Sequence, residues 1–198
     1  MAFQIEEFVG KLPGGGARPN LFEVDITLPT GISLKSGATL KDLKYLCQTT
    51  VIPNGTIGVA QLNYFGRLVK FPGNRTFTDW TCTIINDTDF SARRAIESWM
   101  DQISGNITNT RSPLTAAGGY KGTATVTQYS STGRPIRDYL VRGIFPIEMA
   151  AIALDWNTND AIETFDMTFS IEDWISQDSS LAQGVSSLID TASVALDS

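Results

Sequence analysis

"IETFDMTFSIEDW", residues 162–174, decides the fold class. Phe165, Met167, Phe169 and Ile171 alternate with Thr164, Asp166, Thr168 and Ser170, so one face is apolar and the other polar. A period of two is that of a strand resting on a core with its other side in water. The same alternation recurs in "NLFEVDITL" (20–28), where Phe22, Val24, Ile26 and Leu28 oppose Glu23, Asp25 and Thr27. It recurs again in 75–85, with Trp80, Cys82 and Ile84 on the core side and Thr81 and Thr83 opposite.

Further strands are expected in "LKYLCQTTVIP" (43–53), "YKGTATVTQYS" (120–130), "PIRDYLVRGIFPIEM" (135–149) and "AIALDWNTND" (151–160). Their apolar and β-branched content and flanking turn residues are the reason. Asn54-Gly55 suits a tight reversal. The period changes only in "DTDFSARRAIESWMDQIS" (87–104), where Ala92, Ala95, Ile96, Trp99, Met100 and Ile103 form one helical stripe. A helix over about 88–104 follows, with Asp87 or Thr88 as its cap and Asp89 near the positive end of its dipole. The prediction is a mainly β, mostly antiparallel sandwich or barrel with one α-helix packed on it.

One segment is different in kind. "TIGVAQLNYFGRLVKF" (56–71) reads as a strand whose apolar residues fall on both faces, Val59 and Phe65 on one parity and Leu62, Tyr64 and Leu68 on the other. Such a strand must be covered on both sides, and a neighbouring copy is one cover. Ile57, Val59, Leu62, Tyr64, Phe65 and Leu68 are therefore the candidate subunit contacts.

At 198 residues the chain is long enough for one domain with its own core. Apolar residues make up 42% and charged residues 18%, which places it among globular chains with a charge-poor surface. The opening "MAFQIEEFVGKLPGGG" has acids where a secretion signal carries bases, so a cytoplasm-like compartment and no membrane anchor are expected. Ten of the 21 acidic residues and none of the 15 basic ones lie after Arg142. Polyanions would find nothing to hold them there, since affinity for DNA comes mainly from Lys and Arg on phosphates.

Catalytic chemistry finds little footing. The chain has no histidine, which removes the commonest general base and the usual partner of a nucleophilic Ser or Cys. Asp155, Asn157 and Asn159 fit the first, third and fifth positions of a calcium loop, but Asp160 stands where Gly is needed and Asp166 where Glu is needed. An Asn/Asp-rich turn explains them more simply. Asp79-Trp80 and Asp173-Trp174 invite comparison with sugar sites, yet no pairing of acids across a groove is visible. Cys47 and Cys82 read as buried free thiols, with a disulfide as the alternative. No enzyme, metal or cofactor is expected.

"ARPNLFEVDI" (17–26), "GNRTFTDWTCTIIND" (73–87) and "LDWNTNDAIETFDMTFSIEDW" (154–174), with the helix between the last two, together resemble the tail tube proteins of contractile-tailed bacteriophages. The likeness covers 17–174 in order. It implies a β-barrel or sandwich subunit, hexameric rings stacked into a hollow tube inside a sheath, and sheath, baseplate and tail-terminator partners. Double-stranded DNA would pass through without specific binding, in a virion tail assembled in the host cytoplasm. Tailocin and type VI secretion tubes are similar, so an inner-tube protein of such a device is an alternative, and a monomeric β-sandwich binding module is another. Of Asp155, Asp160, Glu163, Asp166, Glu172 and Asp173, some are expected to face the lumen. Outside 17–174, residues 1–16 read as a flexible N-terminal arm. Residues 175–198 read as a polar C-terminal extension, disordered or folding on a partner.

Overall fold

The computed structural model describes residues 5–34, 38–40, 43–107, 110–111 and 119–177. Its centre is the strand β8 (Thr164–Ser170), in which Phe165, Met167 and Phe169 are buried as the alternation requires. The other strands are β1 (Phe22–Thr27), β2 (Cys47–Thr50), β3 (Gly55–Tyr64), β4 (Arg67–Phe77), β5 (Trp80–Ile85), β6 (Gly122–Tyr129), β7 (Pro135–Met149) and β9 (Asp173–Gln177). Every pairing is antiparallel. The hydrogen-bonded order is β1-β6-β7-β8-β5-β2, with β9 also on β7, and β3-β4 form a separate pair.

β7 carries the architecture. Its first half pairs β6 and β9, with Asp138 opposite Gln177 and Arg142 opposite Asp173. Its second half pairs β8, with Phe145 opposite Ser170 and Met149 opposite Met167. Between the halves, Gly143 is skipped in the register with β6 and has a φ of 66°. A bulge in a left-handed conformation lets one strand turn a corner and serve two layers. Glu172 turns the same corner on the facing chain, donating its N–H to the Arg142 carbonyl at 3.1 Å. The 162–174 stretch is thus two strands, β8 and β9, that follow β7 through its bend.

The layers β1-β6-β7-β9 and β7-β8-β5-β2 enclose a core of Val24, Ile26, Val126, Val141, Trp80, Ile84 and the β8 residues. The arrangement is sandwich-like and does not close into a barrel. The helix over Ser91–Ile103, here α3, buries Ala92, Ala95, Ile96 and Trp99 on the core. Trp99 donates its indole N–H to the Tyr120 carbonyl at 2.8 Å and lies 6.2 Å from Phe169, which lies 5.5 Å from Trp80. The N-cap position is held by Phe90, in a left-handed conformation and without a side-chain cap bond, rather than by Asp87 or Thr88; Asp87, three residues upstream, accepts from the Ser91 N–H at 2.8 Å and the Ser91 hydroxyl at 2.6 Å. That satisfies one of the free N–H groups of the first turn.

Several sequence expectations need correction. Residues 43–53 are not one strand: Leu43–Leu46 form a helical turn (α2), which buries Leu43, before β2 begins at Cys47. Asn54-Gly55 makes no tight reversal, because Gly55 opens β3 and β3 pairs β4 rather than β2. Residues 151–160 form no strand; a turn at Trp156-Asn157 occupies the middle. Arg75–Phe77 belong to β4, and β5 starts only at Trp80.

At the N-terminus a short helix, α1 (Ile5–Gly10), is followed by a 3-10 turn at Pro13–Gly15. Of the C-terminal 175–198 segment, Ile175, Ser176 and Gln177 pair β7 within β9, and 178–198 lie outside the described residues. No helix among the described residues is long and apolar enough to cross a membrane.

Candidate assembly interface

The two-sided strand of 57–71 is a hairpin, β3 and β4, which among the described residues pair only with each other. Its turn is Phe65-Gly66, with φ values of 44° and 79°. Positive φ at both central residues marks the primed turn that matches strand twist. Phe is a costly residue there, since a left-handed conformation crowds its Cβ, and such outliers cluster at functional positions. Phe65 is 90% exposed and its ring stands edge-on to Tyr64 at 4.6 Å.

The turn resets the parity expected from an unbroken strand. Leu62 faces Val69, Ala60 faces Phe71 and Tyr64 faces Arg67, which gives one strongly apolar face. Val59 opposite Pro72, Gln61 opposite Lys70 and Asn63 opposite Leu68 give a mixed one. Leu68 therefore shares a face with Val59 rather than with Leu62, and Phe65 sits at the tip. All six candidate contact residues are exposed. A two-stranded hairpin is marginal alone in water, and contiguous exposed apolar surface marks an interaction site.

The body grips the hairpin at its root. Trp80 donates its indole N–H to the Val51 carbonyl at 3.0 Å, Trp174 donates to the Asn54 carbonyl at 3.0 Å, and the Thr78 hydroxyl reaches Asn54 Oδ1 at 2.8 Å.

The six candidate lumen acids fall into three groups. Asp166 points outward from β8 and accepts from Thr83 at 2.7 Å, while Thr49 donates to Thr83 at 2.8 Å. With Thr81, Thr168 and Glu148 these residues line a concave face of about 520 Å3 whose lining includes no Lys or Arg. Glu172 and Asp173 are neutralised at the β7 corner, Glu172 by Lys121 and Asp173 by Arg142. The guanidinium holds the Asp173 carboxyl below its ordinary value.

Asp155, Asp160 and Glu163 lie in the loop 150–163, which joins β7 to β8. Asp155 Oδ1 accepts from the Asn157 N–H at 2.9 Å, the turn chemistry that mimics part of a calcium loop. Glu163 accepts from the Asn86 amide at 2.5 Å. Asp166, the last residue of that presumptive loop, is held by Thr83 on the sheet instead. Sequence reading overlooked the loop's apolar side: Leu154 is 83% exposed, Trp156 99% and Ile162 75%. A Trp inside an Asn/Asp-rich turn, where a core strand would not place it, was the available signal.

Cys47 and Cys82 are both buried free thiols on adjoining strands. A hydrogen bond between them lowers the Cys47 thiol and, with burial, pushes the Cys82 thiol well above its ordinary value. They show none of the exposed, cationic surroundings of a reactive cysteine.

The sequence pattern of the phage tail tube protein family matches residues 17–177. The chain belongs to that family. Tail tube protein gp19 of Enterobacteria phage T4 is 28% identical over 162 residues, covering 81% of this chain and 92% of its own, and gp19 of phage T6 matches equally. A tail tube protein of Serratia phage KSP90 is 24% identical over 163 residues, covering 81% and 90%. These relatives are structural tail tube proteins, not enzymes.

The fold of the family is shared more widely. A chain of the sheath–tube complex of the extracellular contractile injection system PVC has a TM-score of 0.58 at 15% identity, over 90% of this chain and 99% of that one. The tube-terminating cap of the anti-feeding prophage has a TM-score of 0.58 at 14% identity, over 82% and 91%. Tail tube proteins are components of the virion tail.

Proposed function

We propose that six copies of this chain close into a ring and that rings stack into the hollow inner tube of a contractile tail, through which double-stranded DNA leaves the virion. The observation that carries this reading is the β3-β4 hairpin, exposed on both faces, strongly apolar on one and mixed on the other, and hydrogen-bonded to the body at its root. Ile57, Val59, Leu62, Tyr64, Phe65 and Leu68 are its contacts with neighbouring copies. Ring closure also deals with the outer strands β1, β2 and β9, whose edges are unpaired among the described residues and would otherwise recruit other chains.

The Thr-rich face around Asp166 and Glu148 is the best candidate for the lumen wall. DNA would slide past it, because no cation there can displace the counterions of a phosphate. Asp155, Asp160 and Glu163 form a separate acidic end, and Glu172 and Asp173 are already neutralised. Sheath, baseplate and tail-terminator proteins are the outer partners, and assembly takes place in the host cytoplasm. An inner tube of an injection device that carries no DNA is the second reading, favoured by the PVC likeness.

Negative-stain electron microscopy at several concentrations, beside a mass measurement in solution, tests the proposal. Rings with a central hole or hollow tubes are expected. A monomer at every concentration, with an exposed Trp perturbed by added ligand, would move the reading to a β-sandwich binding module.

A further inference from the structure

The hairpin needs a receptor, and the molecule carries a surface that matches it in charge and in apolar content. Between residues 55 and 77 the only charged side chains are Arg67, Lys70 and Arg75. None of the three is in an ion pair within the described residues. The loop 150–163 is the reverse, with Asp155, Asp160 and Glu163 as its only charges and none of them in an ion pair within the described residues; Arg93, which reaches the loop at the Ala150 carbonyl at 3.5 Å, is paired with Glu97. Both surfaces present large apolar groups to solvent. In the loop, Leu154 and Ile162 border a cleft of about 350 Å3 that Ala151, Ile152, Ala153 and Ala161 also line, and the exposed Trp156 lies beside it. Small side chains along such a cleft leave room for an aromatic ring.

The two surfaces lie at opposite ends of one sheet. The hairpin root is at the Trp80 end of β5, where Val51 and Asn54 are held. The loop is at the Ile85 end, where Thr164 faces Ile85 and the Asn86 N–H bonds the Glu163 carbonyl at 2.9 Å. Strand rise puts about 17 Å between these ends. Two complementary patches at opposite ends of a subunit make a heterologous contact, which repeats head to tail. Hairpin against hairpin would instead set like charges together.

We infer that the tip and apolar face of the β3-β4 hairpin dock on the 150–163 loop of a second copy, with Phe65 and Tyr64 against Leu154, Trp156 and Ile162 and the three cations facing the three acids. This rests on the tube reading for its biological setting, but the contact itself is tested independently.

The test uses F65C and W156C variants of the full chain, one carrying a size tag, purified reduced, mixed in equal amounts and oxidised gently. Cys47 and Cys82 are buried and stay out of the reaction. Cross-links between the two variants are expected to make up nearly all of the covalent dimers, against the half that chance gives, and their share is expected to fall towards one half as salt screens the charges. A statistical mixture, or an excess of F65C self-links, overturns the inference. Electron microscopy of the unmodified chain, at the same concentrations, separates the outcomes. Tubes without preferred cross-links leave the tube reading standing and remove this contact, whereas preferred cross-links without rings or tubes do the opposite.

A charge exchange supplies the second arm. A chain carrying R67E, K70E and R75E is expected to lose self-association, and so is one carrying D155K, D160K and E163K, while their mixture regains it. Failure of the mixture to regain it, with both variants showing native melting curves, also overturns the inference.

Discussion

The indole nitrogen of Trp174 donates to the backbone carbonyl of Asn54 at 3.0 Å, joining β9 to the root of the hairpin across 120 positions of sequence. The link sets the direction in which the hairpin leaves the body. Trp174→Phe keeps the ring but removes the donor. The expected result is faster hydrogen exchange at Gly55, Thr56 and Ile57, a stability loss of about 0.5–1.5 kcal/mol, and reduced tube yield. Unchanged exchange at those amides would mean that the hairpin is positioned by Trp80 and Thr78 alone.

Trp80 is 1% exposed and does two jobs, filling the core against Phe169 and donating to Val51. Trp80→Ala is expected to cost about 3–5 kcal/mol, since the cavity is enclosed by rigid strands. Trp80→Phe retains much of the volume and leaves the Val51 carbonyl without its donor, with an expected cost of about 1–3 kcal/mol. Chemical denaturation of the two variants checks the ranking; equal midpoints would show that the hydrogen bond, not the cavity, dominates.

The body of the fold was legible because burial is written as period. Val24, Ile26, Phe165, Met167 and Phe169 alternate in sequence and are buried in the structure. The α3 stripe names its own buried face in the same way. Where the sequence misled, period carried no punctuation. Phe65-Gly66 turns the chain without the Asn or Asp that normally announces a primed turn, so two strands read as one. At the break between β8 and β9 the parity shifts, Ile171 and then Trp174 packing on the core, but no Gly or Pro marks it, so the two strands read as one. Trp156 and its loop read as a strand, since apolar content is the same signal whether the residue meets its own core or another molecule.

Gly143 holds the corner of β7. A side chain there would be strained by the φ of 66° and would strike the Glu172 carboxylate. Gly143→Ala is expected to destabilise by about 1–2 kcal/mol from the backbone term alone, with a further loss as Glu172 is pushed from Lys121. Thermal unfolding measures the total, and Gly143→Asn, which tolerates left-handed backbone better, is expected to lose less.

Acid should weaken the same corner. Arg142 holds Asp173 below its ordinary value, so the pair contributes stability that is fully present above the unfolded carboxyl pKa of about 3.9 and is lost as pH falls through the lower folded value. Asp173→Asn should therefore be less stable than the native chain near neutrality, and the two should converge in strong acid. Because both groups are solvent-accessible, added salt should shrink the difference. A gap that persists at low pH would assign the effect to the β7-β9 pairing rather than to charge.

The placement of hairpin and loop at opposite ends of one layer has a mechanical meaning. A pull between them runs along β2, β5 and β8, parallel to the strands and at right angles to the inter-strand hydrogen bonds. Those bonds are then loaded together, in shear, instead of being opened one after another. A column of subunits linked end to end in this way would resist stretching as the tube is driven forward, with each subunit bearing the load along its stiffest axis.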